Sequence, residues 1–227
     1  MRRGFTLVEL NIAVLFVALL VLAVAITVMN STRLYEKGLA LKTVNQTGRE
    51  VMDVLQRDIT TARADRIKYF APVGGVGRLC LGTASYIFNT ADALNGTGTL
   101  VRDTSIASSP PIRLARVDDR DSLWCDRSGG VFTKTQLSTG DTYTELLQKD
   151  SETISLAVHS MDIALIAGNT ADRVSQGLVK VMLQIGTNEV NTTSGGACKP
   201  PSDHESHFDG CAVREFNTVV HNKGTTE

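Results

Sequence analysis

No charge of one sign dominates this chain: 23 Lys plus Arg stand against 24 Asp plus Glu, giving a formal net charge of -1 and a pI near 6.4. That balance provides no field to gather nucleic acid or anionic lipid over the whole surface, which argues against a basic nucleic-acid-binding module. Signatures of catalysis are also missing. The run Gly74-Gly75-Val76-Gly77 lacks the lysine of a phosphate-binding loop and the helix of a dinucleotide fingerprint, so it reads as a turn. There is no Gly-x-Ser-x-Gly elbow, and Ser, His and Asp show no catalytic arrangement. No Cys-x-x-Cys pair supports a zinc site. No internal repeat is evident. The expectation is a protein that is not an enzyme and holds no cofactor or metal.

What the chain does have is apolar sequence concentrated at one end. From Leu10 to Met29 only Asn11 and Thr27 interrupt an otherwise apolar run of 20 residues. As a helix it would be roughly 30 Å long, the thickness of a bilayer's hydrocarbon core. Arg2 and Arg3 precede it, while Arg33 and Lys37 follow with Glu36 between, so the positive-inside comparison leans weakly towards a cytoplasmic N-terminus. An ordinary signal peptide would offer Ala23-Val24-Ala25 as its cleavage site. Against that reading, the apolar run continues past Ala25 to Met29, and the acidic Glu9 stands at its threshold.

The segment Arg3-Gly4-Phe5-Thr6-Leu7-Val8-Glu9-Leu10 resembles the class III signal of type IV pilins and type II secretion pseudopilins. It combines a short basic leader, a Gly, an aromatic first mature residue, Thr-Leu, and a Glu at the fifth mature position before an apolar helix. The resemblance implies that a prepilin peptidase cuts after Gly4 on the cytoplasmic side and methylates the new amino terminus at Phe5. It also implies that the apolar helix is kept. A carboxylate at the edge of an apolar helix is costly unless paired. By the resemblance, Glu9 attracts the Phe5 ammonium of a neighbouring subunit and sets the stagger of assembly. On the residues alone, Glu9 could equally be a solvated first-turn charge favoured by the helix dipole.

Beyond Met29, Leu34, Leu41, Val44, Val51, Met52, Leu55, Ile59 and Ala62 recur mostly at steps of three, four or seven, the pattern of an amphipathic helix. Charged residues from Arg33 to Asp58 fall between them, on the opposite face. Gly38 and Gly48 weaken the helix by about 1 kcal/mol each, and Asn30-Ser31-Thr32 offers a joint. Val51 to Ile59 resembles the end of the long helix in larger minor pilins and J-type pseudopilins, where an Arg-Asp pair, here Arg57-Asp58, closes it. After residue 66 the texture changes to short β-prone runs, expected at 85–89, 99–102, 112–117, 131–135, 153–166 with a break, 178–185 and 212–220. Residues 69–77, 91–98, 106–111 and 188–210 read as loops. Residues 214–222 are similar in pattern to the last strand of the same minor-pilin subclass.

Four cysteines, Cys80, Cys125, Cys198 and Cys211, lie on the side of the anchor that would face outward, where disulfides fit. They admit three pairings. Cys80 with Cys125 and Cys198 with Cys211 is favoured, because the second closes a short loop-rich stretch for a gain of about 3 kcal/mol. Trp124, beside Cys125, is expected to pack in the core or on a disulfide. The loop at 203–209 carries two histidines and three carboxylates without a recognised metal spacing, and Pro200-Pro201 argues against a helix starting there.

The expected fold is α+β, a long N-terminal helix packed on an antiparallel sheet, divided as leader 1–4, transmembrane and assembly helix 5–29, amphipathic helix 30–65 and β-rich head 66–227. The expected function is that of a minor pilin or pseudopilin in a type IV pilus or related filament. Its partners would be other pilins or pseudopilins, the prepilin peptidase, the pilus assembly platform and membrane lipid, with DNA or surface receptors as further contacts of the head. It would sit in the inner membrane with its head outside before joining a filament. The competing expectation is a secreted or membrane-anchored extracellular binding protein with an ordinary signal peptide or anchor.

Overall fold

The computed structural model describes residues 6–96, 98–147, 154–166, 177–189, 193–194, 196–203 and 209–222. Its first element, α1, runs Leu7–Thr61 as 55 residues of unbroken helix, on the order of 80 Å long. No joint forms at Asn30-Ser31-Thr32: the helix runs through it, and the Thr32 hydroxyl donates to the Val28 carbonyl of the same helix at 3.0 Å. The helix stops short of the expected residue 65. Ala62 is extended at φ -71° and ψ 153°, and Asn222 Nδ2 donates to the carbonyls of Ile59 and Ala62 at 2.9 and 2.6 Å. The last turn's orphan carbonyls thereby gain a partner.

Ala40, Val44, Thr47, Gly48, Val51, Met52, Leu55 and Ile59 are the buried helix residues, and their spacing of three and four residues is one helix face. Each large aliphatic among them contributes about 1.5–3 kcal/mol by leaving water. Gly48 does more than weaken the helix. A Cβ there would lie 2.1 Å from Cζ of Phe216, so the missing side chain is the seat for that ring.

A single 3-10 turn, Ala64–Arg66, leads into β1 Lys68–Val73, β2 Val76–Cys80 and β3 Ala84–Asn89, then the short helix α2 Ala91–Asn95. There follow β4 Leu114–Asp118, β5 Arg127–Ser128, β6 Val131–Phe132, β7 Tyr143–Glu145, β8 Leu156–Ile166, β9 Gly177–Thr187, β10 Thr193–Ser194, β11 Ala197–Cys198 and β12 Val213–Asn222. The fold is α+β, with antiparallel strands. They form a five-stranded sheet ordered β1-β2-β3-β4-β7 and a three-stranded sheet ordered β12-β9-β8, with small β5-β6 and β10-β11 hairpins.

Alternation across the strands builds two cores. Leu79, Tyr86, Phe88 and Leu114 turn towards the buried face of α1 and towards Val179, Val181, Leu183 and Ile185 of β9. Their neighbours Cys80, Ile87, Ala115 and Val117 face the other way and pack with Val101, Ile112, Trp124 and Leu137.

Several expected loops carry structure. Residues 69–77 form the β1-β2 hairpin, in which Val73 pairs with Val76 across Gly74 and Gly75 at φ 62° and 90°. Two successive positive φ values are the pattern of a type I′ turn, which glycine adopts without steric cost. Residues 91–95 are helical, with the Thr90 side chain accepting from the Ala93 N–H. Within 188–210 lies the β10-β11 hairpin. Conversely, the strand expected at 99–102 reduces to one bridge, Arg102 with Pro111, and that at 131–135 to Val131–Phe132. The expected 153–166 strand begins at Leu156 and has an irregularity between Val158 and Ser160; residue 153 lies outside the described residues.

Candidate assembly site on the N-terminal helix

The described chain opens on a capping box. Thr6, extended at φ -79° and ψ 149°, is the N-cap of α1. Its hydroxyl accepts from the Glu9 N–H at 3.3 Å, while Glu9 Oε2 accepts from the Thr6 N–H and the Thr6 hydroxyl, each at 2.9 Å. This reciprocal pairing satisfies two orphan donors of the first turn and puts a negative charge at the positive end of the helix dipole. Thr6-x-x-Glu9 ahead of an apolar run is a capping-box signature, so the local sequence itself points to Thr6 as Glu9's partner within the chain.

Behind this cap, every large apolar side chain from Leu7 to Met29 is at least half exposed. Covering them would be worth on the order of 20–50 kcal/mol. Such a surface needs lipid or other apolar helices around it, and this helix is long and apolar enough to cross a membrane.

The half that enters the head is fixed by polar contacts at both ends. Where α1 leaves the head, Lys37 Nζ donates to the Cys211 carbonyl, and exposed Arg33 lies 3.7 Å from Asp209. Burial lowers the Lys37 ammonium below its ordinary range, with Asp209 opposing. Near the helix C-terminus, Asp58 Oδ2 accepts from the Tyr86 hydroxyl and from Arg116 Nε, both at 2.6 Å. Asp58 therefore faces inward, contrary to its expected place on the solvent face. Its hydrogen bond is the first cause of a raised Arg116 pKa, while burial is the first cause for Tyr86. Between these ends, Gln56 Nε2 donates to Thr218 Oγ1 at 2.8 Å, joining α1 to β12.

Two disulfides brace the head, Cys80 to Cys125 and Cys198 to Cys211. The first lies in the second core beside Trp124, which is 1% exposed. The second holds the segment whose Cys211 carbonyl meets Lys37 on α1. Gly4 and Phe5 lie outside the described residues, as do residues 204–208 of the His- and acid-rich loop. Among the described residues no group of three or more His, Cys, Asp or Glu is placed to hold a metal ion.

No family model, curated protein or solved structure matches the chain. A long helix with an exposed apolar N-terminal half, its C-terminal half packed on antiparallel sheets, is compatible with a pilin-like architecture.

Proposed function

We propose that the protein is a structural subunit of a membrane-assembled filament of the type IV pilus or type II secretion kind, in the position of a minor pilin or pseudopilin. Prepilin peptidase would cut after Gly4, the segment 5–29 would hold the chain in the membrane, and lateral docking of apolar helices would draw it into the filament. The observation that carries this reading is the exposed apolar half of α1, continuous with a half locked into the head and headed by Glu9. A signal peptidase cut after Ala25 would instead fall inside an unbroken helix and remove most of that apolar surface.

Cleavage would create an ammonium at Phe5, one residue ahead of Thr6, whose N–H and hydroxyl Glu9 already holds. Glu9 therefore has two roles to separate, helix cap and charge partner of a neighbouring Phe5. Gln serves a capping box as Glu does, but it cannot neutralise an ammonium in a dry interface, where an unpaired charge costs about 3–5 kcal/mol. Glu9→Gln should leave membrane insertion and cleavage intact and reduce incorporation into sheared filaments by about a hundredfold or more, since each 1.4 kcal/mol is tenfold. Mass spectrometry of the mature N-terminus is run in parallel and should find Phe5. Wild-type incorporation of Glu9→Gln would make Glu9 a helix cap only, and a mature chain starting at Ile26 would reject the filament reading altogether.

A further inference from the structure

On the face of the five-stranded sheet turned away from α1, two glycine hairpins flank a half-open cavity of about 430 Å³, lined also by Thr99, Val101 and Gln136. One wall is the β1-β2 turn with Val73 and Val76. The other is the β5-β6 hairpin, where Gly129 and Gly130, at φ 60° and 85°, repeat the two-residue positive-φ turn. Arg78, Arg127 and Phe132 line the space between them, and no Asp or Glu does.

Arg78 is 4% exposed. Its Nη1 donates to the carbonyls of Trp124 and Lys134, both at 2.7 Å, but its buried Nε has no acceptor. Its guanidinium carbon stands 3.8 Å from the Phe132 ring centre. That of Arg127 stands 4.2 Å from the same ring and 4.5 Å from Phe70. Among the described residues neither guanidinium has a carboxylate partner. Burial first, and the like charge of Arg127 second, bring Arg78 down to about 10.

Arg78 has carbonyls and rings for partners but no anion, and a buried cation beside a second cation favours an entering anion. Arg78 Nη1 is already committed to two carbonyls, so the exposed guanidinium of Arg127 is the donor fork open to a ligand, and a fork of this kind matches a planar two-oxygen acceptor. The rest of the lining is four valines and Phe132 among glycines, two threonines and Gln136, all uncharged, which suits a mainly apolar body rather than a bare or highly charged ion. The volume falls in the usual range of small-molecule sites, about 300–1,000 Å³. We propose that this cavity binds a small organic carboxylate with an apolar or aromatic body, its carboxylate held by exposed Arg127 in the field of buried Arg78 and its body against the valines of the lining. The site lies on the head surface opposite the helix and does not depend on how α1 is covered.

Trp124 is the only tryptophan in the chain, and Arg78 lies 5.4 Å from its ring centre, so its emission reports on the cavity. The test titrates the full-length chain in lipid nanodiscs with 4-phenylbutyrate, its neutral analogue 4-phenylbutanamide and phenyl phosphate. A saturable change in emission is expected with 4-phenylbutyrate at a Kd below about 1 mM, and binding of the amide should be at least about tenfold weaker. Arg127 is exposed, so Arg127→Gln should keep the wild-type melting temperature and bind the acid about fivefold or more weakly. Absence of saturable binding, equal binding of acid and amide, or wild-type affinity in Arg127→Gln would overturn the proposal and leave the arginines as ring-stacking residues. Phenyl phosphate binding as tightly as the carboxylate would overturn the assigned ligand class. The acid and amide comparison uses only the wild-type chain, so it decides the matter even if the variant is unstable.

Discussion

At position 48 a single hydrogen separates two opposite expectations. Helix propensity alone says that Gly48→Ala stabilises by about 1 kcal/mol. The structure puts the new methyl 2.1 to 2.9 Å from three ring carbons of Phe216, and overpacking of this kind costs about 1–3 kcal/mol. Packing is expected to win, because the Phe216 ring of β12 packs against the helical core at this point. Gly48→Ala is therefore expected to lower the melting temperature, while in a Phe216→Ala background the same change should be neutral or stabilising. A thermal double-mutant cycle measures this coupling; a higher melting temperature for Gly48→Ala alone would show that the ring does not constrain the site. The sequence marks Gly48 as a weakness because Phe216 is 168 positions away, and local rules see only neighbours. At residue 9 the position is reversed: Thr6-x-x-Glu9 is local, so its cap could be read directly.

Among the elements, the long strands were legible where alternation was strong. Leu178 to Ile185 announces β9, and β12 follows the same rule, whereas β8 is broken by its irregularity between Val158 and Ser160. The strands β1 and β2 were not, because Pro72, Gly74, Gly75 and Gly77 punctuate them as a loop would. Gly77 has a packing reason to be glycine, since a Cβ there would lie 2.1 Å from Cζ of Phe88 on the adjacent strand. The end of α1 was misplaced for a similar reason: its stop is set by Asn222, on the far strand. Asn222→Ala should destabilise the head by about 1–3 kcal/mol, because the Ala62 carbonyl loses its donor and the Ile59 carbonyl keeps only the Ala62 N–H. Asn222→Asp should be worse, since a carboxylate offers those carbonyls no hydrogen. Denaturant midpoints measure the first effect, and faster amide exchange around residues 59–62 would locate it. Equal stability of both variants with the wild type would show that water caps this helix end as well as Asn222 does.

For the whole molecule, the sequence indicates an apolar helix and a β-rich remainder, but not the division into two sheets and two cores, which depends on which distant strands meet. The buried part of α1 begins at Ala40. A chain lacking residues 1–33 should therefore remain folded and detergent-free in size-exclusion chromatography, with a melting temperature within about 2–4 °C of the full chain, the shift that 1 kcal/mol produces in a domain of this size. Loss of cooperative melting would make the apolar half part of the head's stability. The contact between Asn222 and Ile59, 163 positions apart, also fixes an order in time. At roughly 5–20 residues per second, synthesis needs on the order of 10–30 s to travel from the end of the helix to the strand that clamps it. Throughout that interval the inner stripe of α1 lacks the strand that covers Gly48 and Gln56. Closure of such distant contacts is intrinsically slow. The nascent chain is thus an open-handed intermediate with a finished helix and an unfinished grip, most vulnerable to proteases and to wrong partners just before its final strand is made.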